Sequence, residues 1–219
     1  MPEIAAILFD FDGTLTEPSA LDFPALRRAV GCPTGEPILE YLSGLPAADQ
    51  ERARVILAEV ELLAARQAQP NRDAVAVLAQ LAAAGWPMAI LTRNTHASVL
   101  ASLANFPPWV APLFTVIISR DEPIAHKPSP AGVLLAAARL GLPPESLVVV
   151  GDYRYDIEAG HAAGAHTVYL RNGEDPDEPM PVVPDAMIDW LAELPVLLPA
   201  RPGLLPANKC SAKDAKRRE

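Results

Sequence analysis

The stretch from residue 7 to residue 18, ILFDFDGTLTEP, places two aspartates one residue apart at the end of an apolar run. That run, residues 4–9, is short and without alternation, which predicts a fully buried β-strand. Asp10 and Asp12 would then leave the end of a buried strand, where like charges repel each other and each resists burial. A bound metal ion or a shared proton makes such a pair tolerable, so the stretch predicts a functional site as well as a strand.

Four further segments repeat the apolar pattern of the first strand, at residues 87–92, 114–119, 147–152 and 166–170. Continuous apolar strands are typical of a parallel sheet that is covered on both faces. Helical patterns separate them, at residues 72–85, 129–141 and about 154–164. Ser129 and Pro130 supply a helix start, and Gly85 and Gly141 supply helix ends. The alternation predicts an α/β, Rossmann-like, doubly wound domain.

Residues 18–70 contain no strand pattern. A long amphipathic helix is predicted at 48–69, and two shorter helices precede it at 22–30 and 36–43. The apolar face of the long helix is predicted to carry Ala53, Ile56, Val60 and Leu63. A small all-helical segment is therefore expected between the first strand and the rest of the sheet.

The C-terminal part has a different composition. Prolines recur from residue 176 to residue 206 around one helix candidate at 185–194, and the last twelve residues are polar and basic. We therefore expect a core of residues 1–17 and 71–195, a helical cap at 18–70, and a proline-rich, then basic, disordered tail at 196–219.

Composition narrows the possible partners. The chain has 219 residues, 50% of them hydrophobic, which is enough for one hydrophobic core with a small insert. Its net charge of −9 argues against general nucleic-acid binding. Cys32 and Cys210 are far apart and lack metal-ligand spacing, which fits a reducing compartment. No apolar run reaches the length of a membrane span, and we expect no cleaved targeting peptide. A cytoplasmic monomer or homodimer is expected.

Candidate functional residues follow the ends of predicted strands or lie in the loop after one, where doubly wound sheets bind ligands. They are Asp10, Asp12, Thr92, Arg93, Asn94, Lys127, Asp152 and Asp156. Carboxylate ligands without His or Cys favour Mg²⁺, which also binds phosphate. A metal ion and an incoming phosphate would make the paired aspartates tolerable.

Each candidate side chain suits one part of phosphate chemistry. Asp10 could attack phosphorus and form an aspartyl-phosphate, while Asp12 serves as general acid and then base. Lys127, the only lysine before Lys209, supplies positive charge, and Thr92 supplies a donor to phosphate. Arg93 and Asn94 either bind phosphate or substrate, or form a solvated loop.

These residues resemble the haloacid dehalogenase-like superfamily, in particular phosphoglycolate phosphatase-like members of subfamily I with a helical type 1 cap. The resemblance rests on four motifs in the family's order: DFDGTLT at 10–16, Thr92 in LTRN, Lys127 in HKPSP, and GDYRYD at 151–156. It implies a sheet of strand order 5-4-1-2-3 beneath a mobile cap. It also implies Mg²⁺ held by Asp10, the Asp12 backbone carbonyl and Asp152, with Asp156 acting through water or from outside the direct ligands.

Within that family, a phosphatase acting on a small phosphorylated metabolite is expected. Asp12 argues against a dehalogenase, and a cap without lysine argues against a phosphonatase. Gly151, Asp152 and Tyr153 stand where β-phosphoglucomutases usually have Glu-Asp-Ser. A phosphosugar mutase and a non-catalytic binding protein stay open as alternatives.

Overall fold

A parallel six-stranded sheet forms the centre of the molecule. The structure, a computed structural model, describes residues 3–18, 22–176 and 179–199. The strands are β1 (Ala6–Phe9), β2 (Met88–Leu91), β3 (Phe114–Ile118), β4 (Leu147–Gly151), β5 (His166–Leu170) and β6 (Ala186–Ile188). Their order is β3-β2-β1-β4-β5-β6, and neighbouring strands are parallel. The predicted α/β class and the order of the first five strands are confirmed.

The described residues form eight α-helices. They are α1 (Phe23–Val30), α2 (Ile38–Ser43), α3 (Ala47–Ala65), α4 (Ala74–Ala83), α5 (His96–Leu103), α6 (Ala131–Leu140), α7 (Arg154–Ala163) and α8 (Leu194–Leu197). Short 3₁₀ turns lie at Ala111–Leu113, Pro144–Ser146 and Leu191–Glu193. As predicted, α4 and α6 end just before Gly85 and Gly141, although α6 begins one residue later than the predicted Ser129 cap implies. None of the helices in the described part combines the length and hydropathy that a membrane crossing requires.

Both faces of the central strands β1, β2 and β4 are buried, which explains why these strands lack alternation. Ile7 and Phe9 of β1 pack in a cluster with α4 and α5 on one face. Ala6 and Leu8 point to the opposite face and pack in a cluster with α6 and α7. A strand that is covered on both sides has no solvent face, so every position in it is apolar.

Helix α5 was not predicted from the sequence. It begins after Thr95, whose hydroxyl oxygen accepts a hydrogen bond from the Ser98 backbone N–H at 3.2 Å. Its buried face includes Val99 and Leu103, together with the small side chain of Ser102. Serines on a buried face weaken the apolar pattern by which an amphipathic helix is recognised.

The prediction of a helix at 185–194 was wrong. Residues 186–188 form β6, which extends the sheet beside β5, and helical structure begins only after Trp190. The Asp185 carboxylate accepts hydrogen bonds from the N–H and hydroxyl of Thr167, at 2.8 and 3.1 Å. Pairing with β5 thus overrides the local helical pattern.

Helices α1, α2 and α3 form a helical insertion with a small apolar cluster of its own, which includes Leu26, Leu42 and Leu57. The chain enters and leaves this insertion at adjacent points, because Thr16 and Pro70 form an antiparallel bridge. The predicted division into a core at 1–17 and 71–195 and a cap at 18–70 stays a prediction. Helix α8 runs two residues into the predicted tail, and residues 200–219 lie outside the described residues.

The predicted apolar face of α3 was right at Ala53, partly right at Ile56 and Val60, which pack against the insertion cluster, and wrong at Leu63. Its buried residues are Ala53, Leu57, Glu61 and Ala65, whereas the predicted face residue Leu63 is 61% exposed. The buried stripe therefore repeats every four residues and contains a charged side chain. A glutamate in a helix is ordinarily expected to face solvent, so Glu61 interrupts the apolar pattern by which the buried face would be recognised.

Candidate active site

A cavity of about 460 Å³ lies between the carboxyl edge of the sheet and the helical insertion. It forms where parallel strands place their following loops, as expected for a doubly wound sheet. All eight predicted site residues line it: Asp10, Asp12, Thr92, Arg93, Asn94, Lys127, Asp152 and Asp156. The structure therefore brings the predicted residues together, and their individual roles stay predictions.

Lys127 is buried at the floor of this cavity, where only 5% of its side chain is exposed. Its ammonium group donates hydrogen bonds to Asp10, to Asp156 at 2.5 Å, and to the Leu91 carbonyl oxygen at 3.1 Å. Burial alone would lower the pKa of Lys127, but the charges and hydrogen bonds of Asp10 and Asp156 outweigh it and raise that pKa. The lysine is therefore a fixed positive charge.

The Asp12 side chain is held by Asn94. Asn94 Nδ2 donates a hydrogen bond to Asp12 Oδ2 at 2.6 Å, and the Asn94 backbone N–H donates to Thr92 Oγ1 at 3.1 Å. Burial, followed by the charges of Asp10 and Glu61, raises the pKa of Asp12 to about 7, although the Asn94 hydrogen bond acts in the opposite direction. A carboxyl group with such a pKa can both give and accept a proton near neutral pH.

Three carboxylates form a group that could hold a metal ion. One oxygen of each of Asp10, Asp152 and Asp156 lies within 4.8 Å of the others. Burial raises the pKa of Asp152 and, to about 6, that of Asp156, and the Asp10 charge adds to both shifts. These donors are all carboxylate oxygens, and a cation between them would reduce their mutual repulsion. Such a donor set fits Mg²⁺.

Gly13 allows Asp152 to approach the loop after β1. Its φ of 75° lies in the left-handed region, and a Cβ atom built there would lie only 2.0 Å from Asp152 Oδ2. The neighbouring Thr14 hydroxyl donates a hydrogen bond to Asp152 Oδ1 at 3.2 Å. The Gly-Thr pair that follows the two aspartates therefore serves to seat a third carboxylate.

Two asparagines that the sequence analysis missed bind the backbone of the loop after β1. Asn71 Nδ2 donates hydrogen bonds to the carbonyl oxygens of Gly13 and Thr14, both at 3.0 Å. Asn172 Nδ2 donates to the same Gly13 oxygen at 2.8 Å. Asn172 follows the end of β5. The strand-end rule, by which ligand-binding residues follow the carboxyl ends of the strands, could therefore have found Asn172, whereas Asn71 follows no strand.

Two ion pairs join the helical insertion to the loops of the sheet. Arg93 Nη2 donates to both carboxylate oxygens of Glu40, at 2.8 and 2.7 Å. Arg120 forms two parallel hydrogen bonds with Glu61, both at 2.6 Å. Arg93 thus contacts the insertion, and Arg120 and Glu61 are further cavity residues that the sequence analysis missed.

Comparison with known proteins agrees with this geometry. The family described as haloacid dehalogenase-like hydrolase matches residues 4–164. An uncharacterised hydrolase of Saccharomyces cerevisiae is 33% identical over 175 residues, which are 78% of this chain and 79% of that protein. The phosphoglycolate phosphatase of Yersinia pseudotuberculosis is 30% identical over 218 residues, covering 87% of this chain and 91% of that enzyme.

A solved structure shows the same fold. A predicted phosphoglycolate phosphatase from Haemophilus somnus superposes with a TM-score of 0.69 at 22% identity, covering 90% of this chain and 98% of that one. The family match spans most of the chain, and the two sequence relatives are matched over most of their length. The chain belongs to the haloacid dehalogenase-like hydrolases.

Proposed function

We propose that the chain is an Mg²⁺-dependent phosphatase that hydrolyses small phosphomonoesters, of the phosphoglycolate or sugar phosphate type, through an aspartyl-phosphate. The observation that carries this proposal is the convergence of Asp10, Asp12, Thr92, Lys127 and Asp152 on one cavity beneath the helical insertion. The cavity offers Asp10 as the nucleophile, Asp12 as a second carboxylate whose pKa is raised, and donors for phosphate. A small phosphorylated metabolite is the partner that such a site requires.

In the proposed reaction, an Asp10 oxygen attacks phosphorus while the bond to the leaving alcohol breaks. Asp12 gives its proton to the alcohol oxygen, and its pKa of about 7 suits this step. Asp12 then accepts a proton from the water that hydrolyses the aspartyl-phosphate, which frees Asp10 and inorganic phosphate. The Asn94 hydrogen bond keeps Asp12 oriented for both transfers.

The phosphoryl oxygens would be bound by Lys127 and Thr92, which supply a fixed positive charge and a hydroxyl donor. Asp10, the Asp12 backbone carbonyl and Asp152 would hold Mg²⁺, whose charge would stabilise the phosphoryl group when the ion is bound. The helical insertion would serve as the cap, since it closes the side of the cavity opposite the sheet and would exclude bulk water.

The test is phosphate release from a panel of small phosphomonoesters, measured with Mg²⁺ and with EDTA. We expect release that depends on Mg²⁺ and is abolished in Asp10→Asn, which removes the nucleophilic oxygen while keeping the shape of the side chain. Asp49→Asn is the matched control, because Asp49 is exposed in α3, lies outside the cavity and pairs with exposed Arg52. Retention of more than a few per cent of activity in folded Asp10→Asn would contradict the nucleophile assignment.

A further inference from the structure

Glu61 is a buried carboxylate that faces the candidate active site from the helical insertion. Its side chain is 5% exposed, and it lines the same cavity as Asp10 and Asp12. It is close enough that its charge contributes to the raised pKa of Asp12. The Glu61 carboxylate, paired with Arg120, thus lies on the insertion side of the cavity, where burial raises its pKa.

Arg120 does not offer its charge to a substrate, because Glu61 already holds it. The two guanidinium nitrogens bind the two Glu61 oxygens, and Nη1 also donates to the Arg93 carbonyl oxygen at 3.0 Å. A substrate carboxylate that took Arg120 would leave Glu61 buried without its partner. Removing one member of a buried ion pair is strongly unfavourable.

Three other arginines line the cavity, and each is engaged. The Arg154 guanidinium lies over the rings of Tyr153 and Tyr155. Arg93 binds both oxygens of Glu40, and Arg27 donates to the backbone carbonyls of Pro33, at 3.0 Å, and Glu36. The insertion also contributes apolar side chains to the cavity wall, namely Leu26, Ile38, Leu39 and Leu57. An apolar wall beside a buried carboxylate favours an organic group without negative charge.

We infer that Glu61 makes the enzyme selective for phosphomonoesters of uncharged alcohols and against those whose alcohol carries a carboxylate. This inference rests on the proposed phosphatase function and chooses within it. It favours the sugar phosphate or polyol phosphate type over phosphoglycolate. Glu61 acts by keeping the Arg120 guanidinium from binding a carboxylate of the substrate.

The experiment compares matched substrates in which an uncharged hydroxymethyl group takes the place of the carboxylate. One pair is phosphoglycolate and 2-hydroxyethyl phosphate, and the other is 3-phosphoglycerate and glycerol 3-phosphate. In the wild type with Mg²⁺, we expect kcat/KM to favour the uncharged member of each pair by about tenfold or more. The generic substrate 4-nitrophenyl phosphate reports whether phosphatase activity exists at all.

Glu61→Gln removes the charge but keeps an oxygen that can accept from Arg120. We expect the preference in each pair to fall by about tenfold, mainly through a lower KM for the carboxylate-bearing member. Glu59→Gln is the control, since Glu59 is exposed in the same helix, lies outside the cavity and loses the same charge. It should leave both ratios unchanged.

The outcomes separate the two proposals. Hydrolysis of 4-nitrophenyl phosphate together with faster turnover of phosphoglycolate than of 2-hydroxyethyl phosphate would overturn the selectivity inference alone. An unchanged ratio in active Glu61→Gln would also overturn it. Hydrolysis of none of the five compounds would overturn the proposed function and the inference with it. If Glu61→Gln does not fold, the wild-type ratios still decide.

Discussion

At the scale of single residues, the candidate active site concentrates negative charge. Asp10, Asp152 and Asp156 approach one another around the single ammonium group of Lys127. One lysine cannot neutralise all of them, so burial and mutual repulsion raise the pKa values of Asp152 and Asp156. The site therefore favours whatever brings further positive charge, which is the physical reason to expect a divalent cation there.

Gly13→Ala should weaken Mg²⁺ binding by at least about tenfold. The new methyl group would lie 2.0 Å from Asp152 Oδ2, so either Asp152 or the loop after β1 must move. Isothermal titration with Mg²⁺ measures the effect. Gly141→Ala is the matched control, because Gly141 also has a positive φ, of 69°, but its Cβ would meet nothing within 4 Å. Equal Mg²⁺ affinity in the two folded variants would show that Asp152 is not a ligand.

The strand-end rule placed the predicted site residues correctly in the cavity because it needs only local information. Asp10, Thr92 and Asp152 each directly follow the last residues of a strand pattern. Asn71 and Glu61 could not be found in this way. Asn71 meets Gly13 across 58 positions and Glu61 meets Arg120 across 59, and neither follows a strand.

At the scale of elements, α3 shows how a buried charge hides the packing face of a helix. Its buried stripe contains Glu61, and an apolar count alone shifts the predicted face toward Ile56, Val60 and Leu63. Strands β1, β2 and β4 gave no such ambiguity, because they are apolar and buried along their whole length. The helix predicted at 185–194 was wrong for another reason. Pairing with β5 decides the conformation of this segment, and the sequence of the segment alone does not reveal that pairing.

Leu57→Ala should lower the free energy of unfolding by about 2–5 kcal/mol, because it empties a buried position of the insertion cluster. Leu63→Ala should change it by less than about 0.5 kcal/mol, since that side chain is mostly exposed. Urea denaturation followed by circular dichroism measures both. A larger loss for Leu63→Ala than for Leu57→Ala would contradict the observed face and support the predicted position of Leu63 on it.

At the scale of the whole molecule, the carboxylates of the cavity link stability to pH. In the metal-free protein the pKa of Asp12 is raised from 3.8 to about 7 and that of Asp156 from 3.8 to about 6. Relative to the unfolded chain, the stability that these groups contribute is fully present below pH 3.8 and is lost as pH rises to about 7. The raised pKa of Lys127 acts only above 10.5, outside this window.

The metal-free protein should therefore melt at a lower temperature at about pH 8 than at about pH 5. Mg²⁺ binds the deprotonated carboxylates, so it should raise the melting temperature more at the higher pH. Calorimetry in EDTA and in Mg²⁺ at both pH values tests this. Asp152→Asn should reduce the Mg²⁺ effect. An equal Mg²⁺ effect at both pH values would contradict the linkage.

The short strand β6 has a consequence for how the molecule behaves in a crowded solution. Without it, β5 would present a row of unpaired backbone groups, the template on which chains stack into aggregates. β6 covers that row with only three residues, between Asp185 and Asp189, so the new border is short and charged at both ends. A segment that contributes no side chain to the cavity would thus help to keep the enzyme monodisperse.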